Sequence, residues 1–161
     1  MKRYPLQTLL KLREHRTEAA RQVVMDKQKD VRARQEDCRA VEGEIVNLQN
    51  DRQQHRLNLM AAPPDGVPWP MALAQREAHI DFLAEQVVAA RGRLAKAQEA
   101  LKAAEKALQE ARDAFFRAKG REDALHKRKS VWKTELKAEE ARQEESDAEE
   151  LFNAALSRRK N

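Results

Sequence analysis

The chain has 161 residues, of which 37% are charged and 4% aromatic, with four Gly and five Pro. So few large side chains cannot fill a broad core, which excludes an ordinary globular domain, whereas abundant Ala, Glu, Lys, Leu and Arg favour long helices that bury a thin seam. The net charge of +5 is spread out: 13 basic against 9 acidic residues in 1–60, 9 against 8 in 61–120, and 10 against 10 beyond. Acids interleave with bases throughout, as on solvated helix flanks, and the concentrated basic patch of a nucleic-acid binder is missing.

The single cysteine, Cys38, rules out an intramolecular disulfide or a multi-cysteine metal site. It falls on an apolar seam, where free Cys acts as a small hydrophobe. The opening residues lack the apolar stretch of a signal peptide, and no run approaches the length of a membrane span. The expectation is a cytoplasmic chain with no membrane insertion.

Tyr4 and Pro5 open the first helix, since Pro is tolerated in a first turn where its missing N–H has no partner to lose. From there Leu6, Leu10, Arg13, Thr17, Ala20, Val24, Lys27, Val31, Arg34, Cys38, Val41, Ile45, Leu48, Arg52, His55 and Leu59 step by alternating four and three residues. Ten of these sixteen are apolar. The basic members lay their stems along the seam and keep their charges in water.

Residues 61–70 (AAPPDGVPWP) hold four of the five prolines and one glycine, so both helices stop there. A short connection between long helices favours an antiparallel hairpin. Trp69 beside the turn is expected to pack across the two helix ends, with a partner-binding anchor as the other reading.

In the second helix Leu73, Ile80, Val87, Leu94, Leu101, Leu108 and Phe115 are seven residues apart. Arg76, Leu83, Ala90, Ala97, Ala104, Ala111 and Ala118 each follow three residues later. This is a heptad seam, whose 3.5-residue period keeps one stripe facing a partner helix over many turns. Ala at one of the two positions lets that partner approach closely, and the first helix is the expected partner.

The predicted fold is all-α: a single elongated domain over 1–161 in which two long helices form an antiparallel coiled-coil hairpin. Helix 1 covers about 6–60, the Pro-rich turn 61–70 and helix 2 about 71–157. At 1.5 Å per residue the helices span roughly 80 Å and roughly 130 Å. A turn centred near residue 65 sets Leu59 near Ala72, Cys38 near Arg93 and Leu6 near Leu125, leaving helix 2 unpaired from about 126. That overhang keeps Val131, Trp132, Leu136, Leu151, Phe152, Ala155 and Leu156, with a phase slip across the acidic run Glu139 to Glu150.

No nucleotide loop, Gly-rich turn or protease metal motif occurs. The histidines His15, His55, His79 and His126 show no ligand spacing to one another. His55 and His79 fall near each other in the hairpin register, where solvated or seam-edge rings are the plainer reading and a bridging metal the other. Two helices with one seam offer no pocket in which a carboxylate could be tuned for acid–base work. The expectation is a non-enzyme with no cofactor, no catalytic residue and no metal site. Leu6, Leu9, Leu10 and Leu12 cover more than one helix face, and this surplus apolar surface, with Trp132 and Leu136 near the same end, points to a protein contact.

The opening Tyr4-Pro5-Leu6-Gln7-Thr8-Leu9-Leu10-Lys11-Leu12-Arg13-Glu14 resembles the FliJ/YscO stalk proteins of flagellar and virulence type III secretion systems. So do Trp69 just after the turn and the block Lys129 to Leu136 (KSVWKTEL) with its acidic C-terminal segment, which resembles the virulence branch more closely. The resemblance covers nearly the whole chain. It implies a cytoplasmic stalk, peripheral to the inner-membrane secretion apparatus. Leu6, Leu9, Leu10, Leu12, Arg13, Trp132 and Leu136 would enter the hexameric secretion ATPase. Leu48, Arg52, His55, Trp69, Ile80 and Leu83 would face the export gate, and family members are also linked to chaperones of secreted substrates. The Pro-rich turn departs from flagellar members at the gate-facing end. The alternatives are a homodimeric coiled-coil scaffold built on the 73–118 seam and a basic helical protein that binds nucleic acid.

Overall fold

A computed structural model describes residues 2–160 and resolves them into two helices, α1 (Gln7–Leu57) and α2 (Trp69–Arg159). They pack against each other as an antiparallel helical hairpin, and no strand occurs among the described residues. Helical hydrogen bonding persists past Leu57, from the Asn58 amide to the Gln54 carbonyl (3.0 Å) and from the Ala61 amide to the Asn58 carbonyl (3.1 Å). The reversal proper is Pro63–Pro68. Gly66 takes a φ of 83°, in the left-handed region where a side chain is strained, and the Val67 amide closes onto the Pro64 carbonyl at 3.2 Å. Pro70 sits in the first turn of α2, where its missing donor costs nothing.

Both helices contribute to each of two units, Val23–Ala111 and Met1–Gln22 with Arg112–Asn161. In the Val23–Ala111 unit one cluster joins Ile45 to Val87 and Ala90, with Val41, Leu48 and Leu94 against it. A second joins Val31 to Ala104 and Leu108, with Val24 and Leu101 against it. Ala90 is 0% exposed, so no atom could be added there without displacing a neighbour. Arg76, a seam position, turns its guanidinium onto the end of α1. One nitrogen donates to the carbonyls of Asn58 (3.4 Å), Leu59 (2.9 Å) and Ala61 (2.6 Å). A cation there satisfies carbonyls that a helix end leaves without partners and complements the negative end of its dipole.

The heptad column of α2 is buried or half-buried as its spacing predicts, and it continues through Glu122, Leu125, Lys129, Trp132 and Leu136. The α1 seam departs from expectation at three places. Leu6 is 38% exposed while Tyr4 is buried, because residues 4–6 form a turn closed by the Gln7 amide on the Tyr4 carbonyl (3.1 Å). Arg34 lies outside the seam, between Asp30 (3.8 Å) and Asp37 (3.7 Å), and Gln35 takes its place. His55 is exposed. The pairing also differs by about one helical turn or slightly more. Arg93 meets Glu44, not Cys38, at 2.7 Å and 2.8 Å, and Tyr4 meets Trp132. The helices are thus offset across the reversal: each of these residues meets one five or six positions further along α2 than a turn centred near residue 65 implies. Pairing therefore extends to Trp132, beyond the expected limit near 126.

Candidate functional site: the open end and the turn end

The Met1–Gln22/Arg112–Asn161 unit holds the open end of the hairpin. Leu10 is 1% exposed and anchors it. Tyr4 packs on Trp132 with ring centroids 5.3 Å apart and planes inclined at 54°, and Lys129 donates to the Gln7 side-chain oxygen at 2.7 Å. Around these lies an open groove of about 470 Å³ lined by Tyr4, Pro5, Leu6, Lys127, Arg128, Val131 and Trp132, among others. Its charged lining is mixed, with Lys127 and Arg128 beside Glu135. The buried Tyr4 hydroxyl has no hydrogen-bond partner, an arrangement that costs about 1–3 kcal/mol unless an acceptor arrives.

Of the residues expected to meet an ATPase, the structure divides the group. Leu6 and Leu12 are exposed, Leu9, Arg13, Trp132 and Leu136 are half-buried, and Leu10 is interior. Leu10 therefore holds the end together and has no surface to offer. Residues 137–159 of α2 are all exposed, including Leu151, Phe152 and Leu156.

Deeper in the same unit Glu122 is buried and is held below the usual carboxylate range, chiefly by the Thr17 hydroxyl, with Lys119 and His126 adding to the effect. Glu14 and His126 stand beside it. Sequence reasoning passed over this trio because it compared histidines only with one another. The signal was the i, i+4 pair Glu122 and His126, which shares one helix face.

The turn end lies in the Val23–Ala111 unit. Trp69 is 43% exposed, so a large part of its surface faces water beside the turn. His55 meets His79 edge to face with centroids 4.5 Å apart, and Phe82 follows at 6.2 Å. Ile80 and Leu83 are buried and Leu48 is half-buried, so of the residues expected to face the gate only His55 and Trp69 are exposed. Arg52 is half-buried and its Nε lacks a partner.

No described helix is long and apolar enough to cross a membrane. The chain is a two-helix hairpin with one buried seam and a helical extension exposed beyond Leu136. Comparison with known proteins narrows the class. The family described as YscO-like protein matches residues 1–160. The chain is also similar to the structure of CT670 from Chlamydia trachomatis, a proposed YscO homolog. The identity is 29% and the TM-score 0.81, over 99% of this chain and 98% of that one. A comparison with curated proteins found no match. The chain belongs to the YscO-like family, and is thereby a protein associated with type III secretion.

Proposed function

We propose that the chain is the non-enzymatic stalk of a type III secretion system, cytoplasmic and peripheral to the inner-membrane apparatus. Its open end enters the hexameric secretion ATPase, and its turn end faces the export gate and handles chaperones. The observation that carries this reading is the open-end groove, where exposed Leu6 and Val131 flank the Tyr4–Trp132 pair and a buried hydroxyl lacks an acceptor. A partner segment that lays an apolar side chain over Leu6, Val131 and Trp132 covers that surface, and Lys127, Arg128 and Glu135 offer it charged contacts of both signs.

The homodimer reading is weaker, because Ile80, Leu83, Val87, Ala90, Ala104, Leu108 and Ala111 are already buried. The test mixes the full chain with the ATPase of its own system and follows hexamer formation and hydrolysis. Leu6→Asp and Leu12→Asp, both at exposed positions, are expected to weaken the effect at least about tenfold, since each buries a charge at the contact. Unchanged stimulation by both variants, with the helical signal intact, refutes the placement of the open end.

A further inference from the structure

Glu14 on α1 and Glu122 and His126 on α2 belong to one unit and bring three ligand atoms within 4.8 Å of one another. Nε2 of His126 stands 3.3 Å from Oε1 of Glu14 and 3.4 Å from Oε1 of Glu122. Charge-assisted N–H···O bonds close to about 2.7–2.9 Å, so both contacts are long ones, with room to tighten around a shared centre. They match the edges of a tetrahedron drawn around a cation with bonds of about 2.0–2.2 Å, which measure about 3.3–3.6 Å. A single imidazole nitrogen thus stands between two carboxylates at the spacing of ligands that share one centre.

The surroundings fit the same reading. Two carboxylates this close repel, and the nearest ammonium, Lys119, lies closer to Asp123 (3.2 Å) than to Glu122 (3.6 Å). Glu122 is buried at 9% exposure while Glu14 and His126 are half-exposed, which gives an anchored ligand and an open route for the ion. Thr17, buried beside Glu122, has its hydroxyl 3.0 Å from the Arg13 carbonyl, and its single proton is shared between that carbonyl and the Glu122 carboxylate. One imidazole and two carboxylates from the protein suit a borderline first-row cation and are too few for Ca(II).

The geometry points to a divalent cation of the Zn(II) type bound by Glu14, Glu122 and His126, with solvent in the fourth position. The ion clips α1 to α2 near the open end, since its ligands come from both helices. This site is independent of the stalk reading and stands or falls by metal binding alone.

The test uses the full chain at neutral pH, titrated with Zn(II) by calorimetry and with Co(II) by visible absorption. The expected result is one ion per chain, with the intense Co(II) bands of a tetrahedral site and a Zn(II)-dependent rise in thermal midpoint. Glu14→Gln and His126→Gln each lower the affinity at least about tenfold, the scale set by weaker perturbations of metal sites, and abolish the rise. His79→Gln, at the other histidine contact, leaves the binding unchanged. Circular dichroism verifies that each variant keeps its helical signal. Absence of one-to-one binding overturns the proposal, as does binding that survives Glu14→Gln and His126→Gln or that is lost with His79→Gln.

Discussion

Leu10 and Leu6 look equivalent in the sequence, one heptad step apart on the same stripe, and the structure separates them. Leu10 is 1% exposed and Leu6 is 38% exposed. Leu10→Ala removes three buried carbons, worth about 0.8 kcal/mol each, or about 2.4 kcal/mol in transfer free energy. A cavity adds to this in a closed core. Here the seam is one side chain deep, so neighbours and water collapse toward the gap and the added cost stays small. The expected loss is about 2–3 kcal/mol for Leu10→Ala and about 1.5 kcal/mol for Leu6→Ala, which keeps 38% of its surface in water. Urea unfolding followed by circular dichroism gives the totals, and hydrogen exchange of residues 7–17 locates the weakening. Equal costs for the two variants, or a larger one at Leu6, would mean that the turn at residues 4–6 is wrong and that Leu6 enters the seam in place of Tyr4.

Two further outcomes test the turn end and the cross-helix pair. Arg76→Ala removes the guanidinium from the Leu59 and Ala61 carbonyls, while the Asn58 carbonyl keeps the Ala61 amide, and is expected to cost about 1–2 kcal/mol, read as a lower thermal midpoint and faster exchange near residues 55–61. Glu44 is held below its usual value of 4.5, first by its hydrogen bonds from Arg93. Its contribution is therefore complete above pH 4.5 and is lost as the pH falls through the depressed value. Glu44→Gln flattens that acidic limb of a stability–pH curve. Half a molar salt shrinks the difference, because the pair is exposed and screened.

Much of the hairpin was legible because its order is periodic. The α2 column from Leu73 to Ala118 could be read residue by residue, since a seven-residue repeat admits one stripe only. The α1 seam was harder to read where two residues compete for one step. After Val31 both Arg34 and Gln35 satisfy the spacing, and flanking Asp30 and Asp37 draw the arginine outward. The same limit applied at Leu6, where a helical repeat was extended into residues that form a turn. Register was the larger miss, because a proline-rich segment marks where helices end without fixing how far one is offset against the other across the turn. Exposed Leu6 and half-buried Trp132 were found as candidates by surplus hydrophobicity. The Tyr4 hydroxyl and the Glu14–Glu122–His126 trio depend on that register and could not be placed without it.

The unbroken column of α2 also fixes where the chain can change length. Each residue advances a helix by about 100°, so a single insertion or deletion between Leu73 and Ala118 swings every later side chain off the seam. Only a change of seven restores the stripe, and α1 must then gain or lose a matching segment for the pairs beyond it to meet. The reversal at Pro63–Pro68 and the exposed helix after Leu136 carry no such phase. Natural variation in length should therefore collect at those two places, and a tag or probe inserted there leaves the pairing of the helices untouched.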